Sequence, residues 1–203
     1  MKLNQNIIFC NGAILAIGAA LLSTTVFAAK PTYDCAKAAS EVEELICQDD
    51  ELAGLDHKIA EVYKAAVKNM SGEELKTLKA MQRGWIKGRN ECWKAEDIRY
   101  CTQFEYESRI TELQIQAGNL MVPKPVIYNC TDDNTITAYF YQDSQLPAAV
   151  LNRDNKQGVE QVFAMLSPSG SGSKYEGRNV TFWEKGGEAQ VTWMDQDLKC
   201  QVK

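Results

Sequence analysis

The chain has 203 residues, a formal net charge of −5 and one histidine. This acidic balance makes nucleic acid and anionic membrane surfaces poor partners and favours a cationic protein. A lone histidine, His57, and the lack of any C-x-x-C pair argue against zinc as the reason for the seven cysteines.

At the N-terminus, Lys2 precedes an apolar run from Ile7 to Leu22, and small side chains at Val26 and Ala28 follow. This pattern predicts a signal peptide over 1–28, cleaved after Ala28, and a soluble product in the periplasm. An uncleaved membrane anchor is the alternative, because the run is nearly long enough to span. Cys10 lies inside the run behind bulky Phe9, a poor fit to a lipoprotein cleavage box. Losing Lys2 makes the mature chain one unit more negative. Cys35, Cys47, Cys92, Cys101, Cys130 and Cys200 then remain, an even set that argues for disulfides in an exported chain.

From Cys35 to Ala117 the apolar period is helical. Leu45-Ile46, Leu52, Leu55, Ile59, Val62, Tyr63 and Ala66 form one stripe. Asn69-Met70-Ser71 interrupts it, and Ser71 with Glu74 predicts a capping box opening a second helix through Leu78, Gln82, Trp85 and Arg89. After a break at Cys92–Asp97, a third helix carries Tyr100, Phe104, Ile110 and Leu113 and ends at Gly118. A bundle of three or four helices over 29–120 follows, and Met121-Val122-Pro123-Lys124-Pro125 reads as an extended linker over 121–125.

Over 126–203 the period changes to two. Short β-rich segments begin at Val126, Thr135, Ala148, Val159, Ser173, Val180, Ala189 and Lys199, separated by Asp, Asn and Gly turns. About eight strands in so short a span predict one small antiparallel barrel or sandwich. Cys130 and Cys200 fall in its first and last strands, where a bridge would hold the closing seam.

Ser167-Pro168-Ser169-Gly170-Ser171-Gly172-Ser173 is, taken alone, a flexible polar loop. Ser173 to Lys185 reads as a hairpin turning at Gly177-Arg178-Asn179. Centred on Arg178, it pairs Tyr175 with Thr181, Ser173 with Trp183 and Ser171 with Lys185, presenting a hydroxyl and an ammonium together. A Ser–Lys hydrolase is one reading. Against it, no apolar pocket is evident to depress the lysine and the serine sits among glycines. The other reading is a binding plug that carries a cation into an acidic cleft.

Cys130, Ser171-Gly172-Ser173-Lys174-Tyr175, Phe182-Trp183-Glu184-Lys185-Gly186, Glu188-Ala189 and Cys200 resemble the MliC/PliC family of inhibitors of c-type lysozyme, over Tyr128 to Val202. The resemblance implies an eight-stranded antiparallel barrel. It also implies that Ser171 and Lys185 enter the lysozyme cleft and contact its catalytic glutamate and aspartate, with Gly172, Ser173 and Tyr175 on the same lysozyme-binding surface. The family's usual alanine after Ser-Gly is Ser173 here.

Asp34-Cys35, Ile46-Cys47, Leu52, Leu55-Asp56, Tyr63, Gln82, Trp85, Arg89, Cys92, Cys101, Tyr106 and Arg109 resemble the LprI N-terminal domain, a family whose name implies lysozyme inhibition. Gln82, Trp85 and Arg89 share a helical face and read as a structural seam with a buried Trp and a paired Arg. The four helical-half cysteines pair among themselves in one of three ways, and Cys35–Cys47 with Cys92–Cys101 is the local solution.

The expectation is therefore an α+β chain of separate domains: a small disulfide-bonded helical bundle and a small eight-stranded antiparallel β-barrel. It inhibits c-type lysozyme without enzymatic chemistry, metal or cofactor, protecting peptidoglycan and evading host defence, with no membrane insertion after cleavage. The alternative is an envelope adaptor whose helical domain binds an unknown partner while the barrel is structural.

Overall fold

Short polar side chains cut the N-terminal half into four helices. The computed structural model describes residues 29–203, so the expected signal segment lies outside the described residues. The helices are α1 (Glu41–Gln48), α2 (Asp50–Asn69), α3 (Gly72–Asn90) and α4 (Ile98–Gln116). The stripe from Leu45 to Ala66, expected on one helix, lies on two. Asp49 ends α1, and its carboxylate accepts the N–H groups of Glu51 and Leu52 to start α2. Ser40 and Asp97 cap α1 and α4 in the same manner. The capping box expected at Ser71 does not form. Gly72, the first residue of α3, takes φ +58, outside the helical φ that a capping box assumes there.

α3 runs antiparallel to α4: Trp85 Nε1 donates to the Glu105 carbonyl, and Gln82 accepts from Arg109 Nε. α2 lies along α4, Asp49 pairing with Arg99 near their starts and Asn69 donating to the Ala117 carbonyl at their ends. Ile46, Leu52, Ile59, Leu78, Tyr106, Ile110 and Leu113 are buried between them. Arg89 is buried here and paired. It donates to the Tyr106 phenol (2.6 Å), which donates to Asp56 (2.8 Å), while Asp56 accepts from both the N–H and the hydroxyl of Thr32. A buried charge needs such a complete set of partners. Cys35–Cys47 and Cys92–Cys101 bridge neighbouring segments of this half.

The C-terminal half is a closed antiparallel barrel of eight strands: β1 (Val126–Cys130), β2 (Thr135–Tyr141), β3 (Ala148–Asn155), β4 (Gly158–Ser167), β5 (Ser173–Gly177), β6 (Val180–Lys185), β7 (Glu188–Trp193) and β8 (Gln196–Val202). Alternation sends Tyr128, Ile136, Leu151, Phe182, Val191, Trp193 and Leu198 into its core. β8 returns to β1, with Cys130 opposite Cys200 and the two joined by a disulfide.

One register expectation is corrected. β5 and β6 pair Tyr175 with Phe182 and Ser173 with Glu184, one residue from the expected alignment. The turn holds two residues, Arg178 and Asn179, with Asn179 at φ 56. This register puts Tyr175, Val180 and Phe182 inside the barrel; the expected one would have set Tyr175 against the half-exposed Thr181.

The β2–β3 loop (142–147), the β4–β5 loop (168–172) and the β6–β7 turn (186–187) all emerge at the same end of the barrel. The helical half attaches there. The Gln145 and Leu146 N–H groups donate to Gln114 Oε1 and Thr111 Oγ1 of α4, each at 2.9 Å, and Lys58 of α2 donates to Gln145. Beside this loop, Tyr141, Ala148 and Met165 are aligned across β2, β3 and β4 and are buried, yet belong to neither core. The linker is therefore not the sole tie between the two halves.

Candidate functional site

At the barrel end just described, β5 and β6 hold a serine beside a lysine. Lys185 is the last residue of β6, and Gly186 and Gly187 follow at φ 62 and 88, conformations that glycine adopts without strain. The Gly187 N–H donates to Glu184 Oε1 (2.9 Å), which pins this turn. Lys185 is thus an exposed cation on the shoulder of a fixed turn.

Ser171 reaches Lys185 by a different route from the expected ladder pairing. In the observed register the position opposite Lys185 is that of Gly172, beyond the last β5–β6 pair. Gly172 takes φ +70 and lies against the β6 backbone, so close that a Cβ there would stand 2.3 Å from the Glu184 carbonyl oxygen. The chain bends at this glycine and carries Ser171 back over β6. Trp183 Nε1 then donates to the Ser171 carbonyl (2.8 Å), and Lys185 Nζ donates to Ser171 Oγ (3.3 Å). Ser169 Oγ donates to the Gly172 carbonyl (2.9 Å), tightening the loop from its other side.

The five residues assigned from the sequence do not all share one surface. Ser171, Gly172 and Lys185 are exposed together, and Ser173 is half-buried opposite Glu184. Tyr175 points instead into the barrel: it is 3 % exposed, and its ring packs 5.2 Å from that of Phe140. Burial raises the Tyr175 phenol above its ordinary range, although a hydrogen bond from Gln142 opposes this. Burial also pushes the Tyr128 phenol up to about 12, with Glu184 adding to the rise. Both phenols stay protonated and neutral beneath the site.

Trp183 and Glu184 are the residues that sequence reasoning left without a role. Their signal was present in the Trp183-Glu184-Lys185-Gly186 run, but nothing in it says that the indole holds a backbone carbonyl twelve residues away. Outward from the pair, an open groove of about 720 Å³ crosses β7, β8 and β1, lined by Trp183, Lys185, Gln190, Lys199, Gln201 and Asn129 among others. It is open to solvent and lined by both polar and apolar surface, with Lys185 standing exposed at its edge. Among the described residues no group of three or more His, Cys, Asp or Glu side chains is placed to hold a metal ion. The arrangement can present a hydroxyl and a cation on a stiff edge.

Two families match the chain in tandem. Lysozyme inhibitor LprI matches residues 35–113, and membrane-bound lysozyme-inhibitor of c-type lysozyme, MliC, matches residues 128–199. The chain is also similar to Lipoprotein LprI of Mycobacterium tuberculosis and of Mycobacterium bovis. Each is 31% identical over 181 residues, a match covering 89% of this chain and 88% of the relative.

Proposed function

The chain belongs to the LprI family of lysozyme inhibitors, carrying LprI and MliC domains in tandem, and from that premise we propose that it inhibits c-type lysozyme by lodging the Ser171–Lys185 end of its barrel in the enzyme's substrate cleft. The observation that carries this reading is the exposed hydrogen bond between Lys185 Nζ and Ser171 Oγ on a turn fixed from both sides. A retaining glycosidase works with two carboxyl groups only about 5 Å apart. A preorganised ammonium and hydroxyl side by side can engage both with little loss of conformational freedom.

Occlusion needs no bond to be made or broken. Ser171 lies in a solvent-facing loop, and Lys185, the cation bonded to it, is itself exposed, so the pair suits binding to a partner's carboxylates better than covalent chemistry. The net charge of −5 favours encounter with a basic enzyme and makes the association rate sensitive to salt.

The apolar run Ile7–Leu22 and the small residue Ala28 support export with cleavage over 1–28, leaving domains over 29–120 and 126–203 joined by 121–125. Among the described residues no helix is long and apolar enough to cross a membrane. In the periplasm such a protein shields peptidoglycan from incoming host lysozyme. Titrating the purified mature chain against hen-type lysozyme, with cell-wall clearing as the readout, tests the whole reading. Stoichiometric loss of clearing is expected, and undiminished clearing at excess protein would refute it.

A further inference from the structure

Two solvent-exposed aromatic rings on α4 lie on the same helical face that is tied to the barrel. At 100° per residue, Tyr100, Phe104, Glu107, Thr111 and Gln114 fall within an arc of about 80°. Thr111 and Gln114 hold the β2–β3 loop, and Thr111 is fully buried there. Toward the N-terminus the stripe becomes bare: Phe104 is 41% exposed and Tyr100 66%, their rings stacked with centroids 6.4 Å apart. The buried core of α4 is formed by other residues, Tyr106, Ile110 and Leu113. Among the described residues neither ring belongs to the buried core of the helical half.

Its surroundings are acidic. Asp50, Glu51, Glu96 and Asp97 are exposed around the adjacent starts of α2 and α4, and the Arg99 among them is already engaged by Asp49 and Glu51. Aromatic rings with an anionic rim suit a cationic protein surface.

The position matters most. The loop that α4 grips and the loop that carries Ser171 emerge at the same barrel end, two strands apart, or about 10 Å at ordinary strand spacing. Tyr100 stands about 16 Å along α4 from Thr111. The serine–lysine pair and the ring pair thus lie within about 30 Å of each other, a span that one small enzyme domain can cover. The polar bonds from Gln145 and Leu146 to α4 hold the two patches in a set relation.

We propose that Tyr100 and Phe104 bind the same lysozyme molecule whose cleft receives Ser171 and Lys185, so that one inhibitor grips one enzyme through both halves. This rests on the barrel reading above, and the test separates the two. Dissociation of the mature chain from immobilised hen-type lysozyme is measured for the parent, Lys185→Ala, Tyr100→Ser/Phe104→Ser, and the combination, with light scattering of each complex in solution. Both substituted rings are exposed, so the thermal midpoint of the ring variant is expected to match the parent. The ring variant is expected to dissociate at least about fivefold faster, and the combination by the product of the two single effects, in a one-to-one complex. Parent-like dissociation of the ring variant overturns this proposal while leaving the barrel reading intact. A complex of one inhibitor with two lysozymes, or a parent dimer that the ring variant abolishes, also overturns it. Parent-like dissociation of Lys185→Ala overturns the barrel reading instead.

Discussion

Trp183 donates its indole N–H to the backbone carbonyl of Ser171 at 2.8 Å, fixing a glycine-flanked loop to the strand that carries Lys185. The indole is 40% exposed, so the bond rather than core packing is its contribution. Trp183→Phe keeps a ring and removes the donor. Inhibition is expected to weaken roughly twofold to twelvefold, the range of one hydrogen bond of about 0.5–1.5 kcal/mol. The thermal midpoint should stay near that of the parent. An inhibition constant equal to the parent's would show that Ser171 needs no such tether.

Lys185 carries the positive charge at this edge. Losing one partner of a desolvated charge pair costs about 2–5 kcal/mol, so Lys185→Ala is expected to weaken inhibition at least tenfold with the fold intact. Lys185→Arg should recover part of the loss, because the charge returns on a longer, planar head. Inhibition titrations with a circular-dichroism melt for each variant check this.

Gly172 is where the loop meets β6. A Cβ there would lie 2.3 Å from the Glu184 carbonyl oxygen, and φ +70 disfavours any side chain. Backbone cannot yield as a flexible side chain would, so Gly172→Ala must push the loop outward and carry Ser171 from Lys185. Inhibition is expected to fall at least as far as in Ser171→Ala. Equal potency of Gly172→Ala and the parent would mean that the loop's position is irrelevant.

The barrel was legible because turn residues punctuate its alternation; Asp132 and Asp133 both take positive φ between β1 and β2, as the Asp-Asp-Asn run suggests. Its hairpin register was not. Gly177-Arg178-Asn179 permits a two- or a three-residue turn, and the choice is made by Tyr175 and Phe182 needing the same interior, whose walls come from strands far along the chain. Ser171 and Lys185 were legible as neighbours, although Gly172 and Trp183 bring them together where a ladder was expected. On α4, Tyr100 and Phe104 follow helical spacing as well as Ile110 and Leu113 do, and only tertiary placement leaves the first two bare. The tie from Thr111 and Gln114 to the barrel uses ordinary polar side chains and carries no local signal at all.

Glu43 makes the helical half sensitive to acid. The Ala39 N–H, then Asn90 and Arg89, hold its carboxyl below the usual glutamate value, outweighing the opposing effect of partial burial. A carboxyl depressed in the folded state contributes stability above its unfolded pKa of about 4.3, and that contribution is lost as pH falls through the lower folded value. Thermal midpoints measured downward from pH 5 are expected to fall less steeply in Glu43→Gln than in the parent. Superimposable curves would remove Glu43 from the acid response.

The Cys130–Cys200 disulfide closes a loop with a sequence separation of 70 and fastens β1 to β8, the pair that shuts the barrel. In the chain-entropy account such a loop contributes about 4 kcal/mol by restricting the unfolded chain, and measured values for native bridges run at about 2–5 kcal/mol. The seam keeps its backbone pairing without the bridge, since Tyr128 still faces Val202 and Asn129 faces Gln201. Cys130→Ser/Cys200→Ser is therefore expected to fold at low temperature with a lower urea midpoint and a similar slope, the mark of lost stability without lost compactness. The helical half, with its own core and its own two bridges, should keep its helical circular-dichroism signal over the range where the barrel, followed through the tryptophan signal of its buried Trp193, unfolds. Simultaneous loss of both signals would instead mean that the contacts of Thr111 and Gln114 with the β2–β3 loop couple the halves into one unfolding unit.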